Sequence, residues 1–98
     1  EYLEQYPAGS WVILAGVGKG YTLEAQGRYE DAAAIFRTLG ERYKGSSLSI
    51  EALLGLARSL SHLDRRPEAV EVYRRIADEY GGTSWGRRAE ELMGVAER

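Results

Sequence analysis

The chain of 98 residues has no cysteine, two prolines and a single histidine. Without cysteine there is no disulfide, no thiolate metal site and no thiol nucleophile. One histidine leaves no material for a His-based metal or catalytic cluster. Charge of one sign is also lacking: 13 Lys and Arg face 15 Asp and Glu, a net charge of −2. That balance gives no general attraction to nucleic acid or to an anionic membrane. The longest apolar run, 11–17, falls far short of the roughly 20 residues that cross a bilayer. The chain does not begin with methionine, and it reads as a piece of a longer protein whose targeting segment would lie out of view. What is present is a globular composition, 44% hydrophobic and 29% charged, enough for one small domain.

The chain repeats itself. Glu4-Gln5-Tyr6-Pro7-Ala8-Gly9-Ser10-Trp11 matches Glu41-Arg42-Tyr43-Lys44-Gly45-Ser46-Ser47-Leu48 and then Asp78-Glu79-Tyr80-Gly81-Gly82-Thr83-Ser84-Trp85, at a spacing of 37. Each segment reads acid, polar, Tyr, a small-residue turn, Ser and a large apolar residue. Between them Leu23 aligns with Leu60, Ala32 with Ala69, Phe36 with Tyr73 and Arg37 with Arg74. A repeat of this length marks a stacked-repeat architecture.

Within each period the apolar spacing is helical. Ile50, Leu53, Leu56, Ala57, Leu60 and Leu63 recur at three and four, as do Ala69, Val72, Tyr73, Ile76 and Tyr80, which places each set on one helix face. Pro67 suits the first turn of a helix. Ser10, Ser47 and Ser84 stand where N-caps are wanted, and Gly27 and Asp64 fall at turns. The spacing predicts a helix tail at 1–6 and helices near 10–26, 29–44, 47–63, 67–80 and 84–97. Charges four apart on these helices, Arg37 with Glu41, Glu71 with Arg75, Arg74 with Asp78 and Arg87 with Glu91, fit surface ion pairs. The adjacent acids Glu30-Asp31, Asp78-Glu79 and Glu90-Glu91 point in different directions and are no acid–base pairs.

Two helices per repeat with this order of small and large residues resembles the tetratricopeptide repeat family. One unit carries Gly20, Leu23, Gly27, Tyr29, Ala32 and Phe36, and the next Leu53, Leu56, Ala57, Leu60, Ala69 and Tyr73. The resemblance implies an all-α, right-handed superhelix of antiparallel helix pairs, about 2.5 repeats. It divides the single domain 1–98 into a repeat tail 1–8, repeats 9–45 and 46–82, and a capping helix 83–98. The period exceeds the family's usual 34, and the extra residues fall in the Tyr-x-x-x-Ser turn. That longer turn is similar to bacterial cell-envelope members, the outer-membrane assembly lipoproteins and the Tol–Pal-associated division coordinator. Lys19 stands where a large apolar residue is expected and Gly16 where an aromatic is common, so the first helix is expected to pack irregularly. Ala89, Leu92, Met93 and Ala96 form the apolar stripe of the last helix. Its other face, Arg87, Glu90, Gly94 and Glu97, is polar and reads as a cap, with Arg98 near the natural end. The N-terminus, aligned with the end of a second helix, is expected to continue upstream.

Three features invite a site and have plainer explanations. Gly16-Val17-Gly18-Lys19-Gly20-Tyr21-Thr22 imitates a phosphate loop, but the spacing between its glycines and Lys19 is wrong, and close helix packing accounts for it. His62 beside Asp64 has no nucleophile system around it and reads as a solvated or helix-capping histidine. Trp11 and Trp85 occupy matching positions and read as packing between repeats, with an exposed aromatic for a partner as the other reading.

The resemblance implies that the first helix of each repeat lines a concave groove. Its lining positions are Val17, Tyr21 and Glu24, then Leu54, Arg58, Ser61 and His62, then Arg88 and Glu91. Leu14, Val17 and Tyr21 add an apolar stripe beyond the core face, which suggests a binding surface. Tyr21 with Arg58 and Arg88 would suit a peptide bearing an acidic side chain or a terminal carboxylate. The expected function is a non-catalytic scaffold for a protein or peptide. No cofactor, metal, nucleic acid or membrane insertion is expected. The setting favoured is the bacterial periplasm or cell envelope, with the cytoplasm as the alternative. The rival function is a homo-oligomerisation module whose groove or N-terminal end is filled by another copy.

Overall fold

The computed structural model describes residues 10–44 and 47–97, with backbone alone at positions 10 and 97. The expected helix tail at 1–6 lies outside the described residues. Five helices follow in order: α1 (Ser10–Ala25), α2 (Tyr29–Arg42), α3 (Ser47–His62), α4 (Arg66–Glu79) and α5 (Ser84–Glu97). Each helix packs on its chain neighbour, and α1 and α5 also touch α3, the central helix. The fold is an all-α helical repeat, with no strand among the described residues.

The turns inside the two hairpins are built alike. Gly27 at φ +77 ends α1 and Asp64 at φ +63 ends α3. The Arg28 N–H donates to the Leu23 carbonyl and the Gly27 N–H to the Glu24 carbonyl. One repeat later Arg65 donates to Leu60 and Asp64 to Ser61. Each pair of bonds satisfies carbonyls left open at a helix end, and the left-handed residue reverses the chain. Pro67 sits in the first turn of α4, where its missing N–H is not needed.

The helix starts correct one expectation. Ser10, Ser47 and Ser84 are the first residues of α1, α3 and α5 rather than their caps. At α5 the cap is Thr83, whose Oγ1 accepts the Gly86 N–H at 3.2 Å and donates to the Tyr80 carbonyl. A cap must stand one residue outside the helix with its oxygen aimed back at the third N–H, and Thr83 holds that place. Its counterpart at α3, Ser46, lies outside the described residues.

The core is a single cluster running through all five helices. Phe36, fully buried, is its centre. Its ring lies between Gly20 of α1 and Gly55 of α3, so that a Cβ on Gly20 would stand 2.5 Å from the ring and one on Gly55 2.7 Å. Gly16 faces Leu39 and Gly40 faces Leu53 in the same manner, at 2.7 and 2.5 Å. Irregular packing of α1 is therefore not found. The glycines bring α1 against α2, and Lys19 is on the exposed side. Gly18, on the same helix, has nothing within 4 Å of where a Cβ would stand.

These glycines separate packing from helix propensity. Gly20→Ala and Gly55→Ala each drive a methyl into the Phe36 ring and should destabilise by about 1–3 kcal/mol. Gly18→Ala meets open space and should stabilise by about 0.5–1 kcal/mol. Urea denaturation midpoints of the three variants check both signs.

Candidate functional site

α1 and α3 are the first helices of the two hairpins, α5 follows them in register, and both α1 and α5 contact α3. The seam between α1 and α3 is closed by a polar network. Arg58 of α3 donates to both carboxylate oxygens of Glu24 on α1, through Nε at 2.8 Å and Nη2 at 2.7 Å. Ser59 Oγ reaches the same carboxylate at 3.5 Å. The Arg58 guanidinium lies 5.7 Å from the centre of the Tyr21 ring, close enough for cation–π attraction. The Tyr21 hydroxyl donates to Glu51 at 3.3 Å, and its ring meets Phe36 at 5.8 Å. The Glu24 carboxylate holds the Arg58 pKa above its ordinary value. Burial, followed by the Glu51 charge, raises the Tyr21 phenol.

The seam between α3 and α5 is open. A cavity of about 560 Å³ lies there, and its walls include Glu51, Leu54, Arg58, Arg88 and Glu91. A second cavity of about 390 Å³ continues past Ser61, His62 and Arg66 to Val95 and Ala96. Tyr73 and Leu92 border both. The register explains why. Tyr73 is the counterpart of Phe36, Ala57 of Gly20 and Leu92 of Gly55. Where Gly20 of α1 and Gly55 of α3 close on the Phe36 ring, Ala57 of α3 and Leu92 of α5 stand around Tyr73, and their bulk keeps α5 from seating as closely. Burial raises the Tyr73 phenol, against the pull of Arg58 and Arg88.

The sequence-derived groove residues separate into three groups. Arg58, Leu54, Arg88 and Glu91 line the larger cavity, and Ser61 and His62 the smaller. Tyr21 and Glu24 belong to the closed seam beside them. Val17, at 5% exposed, is core, so the apolar stripe of Leu14, Val17 and Tyr21 is interrupted at its middle; Leu54, at 6%, shows the cavity little surface. Both face the interior because Ile13, Val17 and Leu23, like Leu53, Leu54 and Leu56, pack into the same cluster. Trp85 is half-buried against the core, as packing between repeats requires, while Trp11 is exposed.

The four expected ion pairs at spacing four do not form among the described residues. Arg75 instead bonds Glu41 of α2 at 2.8 Å, Arg37 approaches Glu68 at 4.0 Å and Arg74 pairs with Glu71 at 3.4 Å. Long side chains on paired helices find partners across the helix boundary as readily as along it. The Glu41 bond to Arg75 lowers the Glu41 pKa and raises that of Arg75. Arg87 and Arg88 are exposed and make no ion pair or hydrogen bond with their side chains among the described residues. The spacing also gives no sign of the stack between Tyr29 and His62, whose rings lie parallel at 4.3 Å. Only the packing of α2 on α3 brings them together.

Among the described residues, no group of three or more His, Asp and Glu side chains is arranged to hold a metal ion. None of the described helices is long and apolar enough to cross a membrane.

The tetratricopeptide repeat family model matches residues 23–86, more than half of the chain, and the chain belongs to that family. Its repeats generally mediate protein–protein interaction. No curated protein matches the chain.

The Arg58–Glu24 pair is the main polar link between α1 and α3. Glu24→Ala removes two charge-assisted hydrogen bonds and leaves a half-buried guanidinium without its partner. The expected loss of stability is about 1–2 kcal/mol. Glu24→Ala combined with Arg58→Ala should lose less than the sum of the single changes, as a double-mutant cycle in urea would measure.

Proposed function

We infer that the chain is a non-catalytic scaffold that holds a protein segment on the surface shared by α1, α3 and α5. The observation that carries this is the open α3–α5 seam with Arg87 and Arg88 on its wall, neither of whose side chains makes a hydrogen bond or ion pair among the described residues. Arginines beside a half-apolar cavity suit the carboxylates of an acidic segment, to which each guanidinium donates a pair of hydrogen bonds. Arg58 serves differently from the other two: Glu24 already takes two of its donors, so it shapes the wall and adds charge. A bacterial cell-envelope setting is part of this reading, supported by the long Tyr-x-x-x-Ser turn in the sequence.

Fluorescence anisotropy with a labelled hexaglutamate peptide tests the reading. The wild-type chain should bind it and should not bind hexalysine. The exposed double change Arg87→Glu and Arg88→Glu should weaken binding at least about tenfold, about 1.4 kcal/mol, with helical content unchanged by circular dichroism. Binding that survives the double change overturns the assignment of these arginines.

A second reading, self-association through the outer face of α1, is favoured by Val12, which is 54% exposed, and by the open space at Gly18. A dimer in sedimentation equilibrium that Val12→Asp dissociates would establish it. A monomer at high concentration would dismiss it.

A further inference from the structure

α1 has little charge on any side. Its 16 residues carry only Lys19 and Glu24, and Glu24 is bonded to Arg58. Ile13, Val17 and Leu23 face the core. The other side, with Val12, Ala15, Gly18, Lys19 and Thr22, is exposed. A helix without a charged face is ordinarily covered all round, and α1 is covered on one side. The five exposed positions correspond in repeat register to Ser49, Ala52, Gly55, Leu56 and Ser59 of α3, all of them buried. There α3 meets α2, and Gly55 receives the Phe36 ring. Gly18, the counterpart of Gly55, has nothing among the described residues within 4 Å of where a Cβ would stand. The sequence leading into α1 adds an independent sign. Residues 4–11 repeat 41–48 and 78–85, and those two segments lead from α2 into α3 and from α4 into α5.

We propose that the outer side of α1 is the docking face for the second helix of a preceding repeat in the same polypeptide, with Gly18 as the socket for an aromatic ring on that helix. The ring belongs 37 residues ahead of Phe36, upstream of Glu1. Lys19 adds a requirement peculiar to this chain. It stands where α3 has the buried Leu56, and a lysine taken out of water needs a carboxylate beside it. The docking helix therefore carries an acid as well as a ring. Ala15, Gly18 and Thr22 keep the face low enough for close approach, as Ala52, Gly55 and Ser59 do on α3. This face is separate from the α3–α5 seam and independent of what the seam binds. It assigns the outer side of α1 to an upstream helix rather than to another copy of the chain.

Thiol accessibility tests this. Residues 1–98 hold no cysteine, so Thr22→Cys places one thiol among them, on the exposed side of α1. Maleimide labelling of the α1 peptide is followed by mass mapping in residues 1–98 and in the polypeptide expressed from its own initiation codon. The thiol should react at least about tenfold more slowly in the longer polypeptide, to the same extent at all protein concentrations. Circular dichroism checks that both forms fold. Gly18→Ala, expected to stabilise residues 1–98, should destabilise the longer polypeptide, because there the methyl meets a ring. Equal labelling rates in the two forms overturn the docking helix. Protection that grows with protein concentration gives the face to a second copy and overturns it as well. An upstream sequence without Phe, Tyr or Trp 37 positions ahead of Phe36, or Gly18→Ala stabilising both forms, overturns the socket. Each of these outcomes leaves the scaffold reading standing.

Discussion

One aromatic ring joins three helices. Phe36 comes from α2, and it is accommodated only because α1 and α3 each present a glycine to it, Gly20 and Gly55. The ring fills the space that two side chains would otherwise occupy, and the helix backbones draw in around it. Glycine inside a helix costs about 1 kcal/mol against alanine. Here that cost is offset by the dispersion and burial of a whole phenyl ring. Once α1 and α3 are set against Phe36, Glu24 and Arg58 come within bonding distance, and so do Tyr21 and Glu51. The closed polar seam is a result of the packing beneath it.

The same positions, differently filled, open the next seam. Tyr73 takes the place of Phe36, but Ala57 and Leu92 replace the glycines. The ring stays buried and the neighbouring helix stands off, leaving the two cavities that Tyr73 and Leu92 border. Repetition with substitution thus closes one interface and leaves the other open. The candidate site needs no insertion or special loop; it follows from the size of the side chains at two register positions.

Much of this is legible in the sequence. The spacing of 37 and the helical apolar pattern locate all five helices to within two residues, because both are local signals. Gly27 and Asp64 mark their turns through backbone conformation, which is also local. Ion pairing is not legible. Arg75 and Glu71 lie one turn apart, yet Arg75 reaches Glu41 on another helix, and that choice depends on the angle between helices. The cap on α5 falls to Thr83 rather than Ser84, and two adjacent hydroxyls look alike until the helix start is fixed to one residue. Val17 is buried and Leu54 shows the cavity little surface, which is not legible either, because a sequence shows which residues are apolar and not how wide the buried stripe is. The stack of Tyr29 on His62 depends on how the start of α2 meets the end of α3, which no local pattern encodes.

The contrast between the two seams also bears on what positions the last helix. The α1–α3 boundary is held by bidentate and aromatic contacts, and a further bond between Arg75 and Glu41 ties α2 to α4. Between α3 and α5 no ion pair crosses among the described residues, and the contact is apolar around Leu92. What holds α5 in place is its packing on α4. That packing, rather than any bond across the seam, therefore sets the width of the opening.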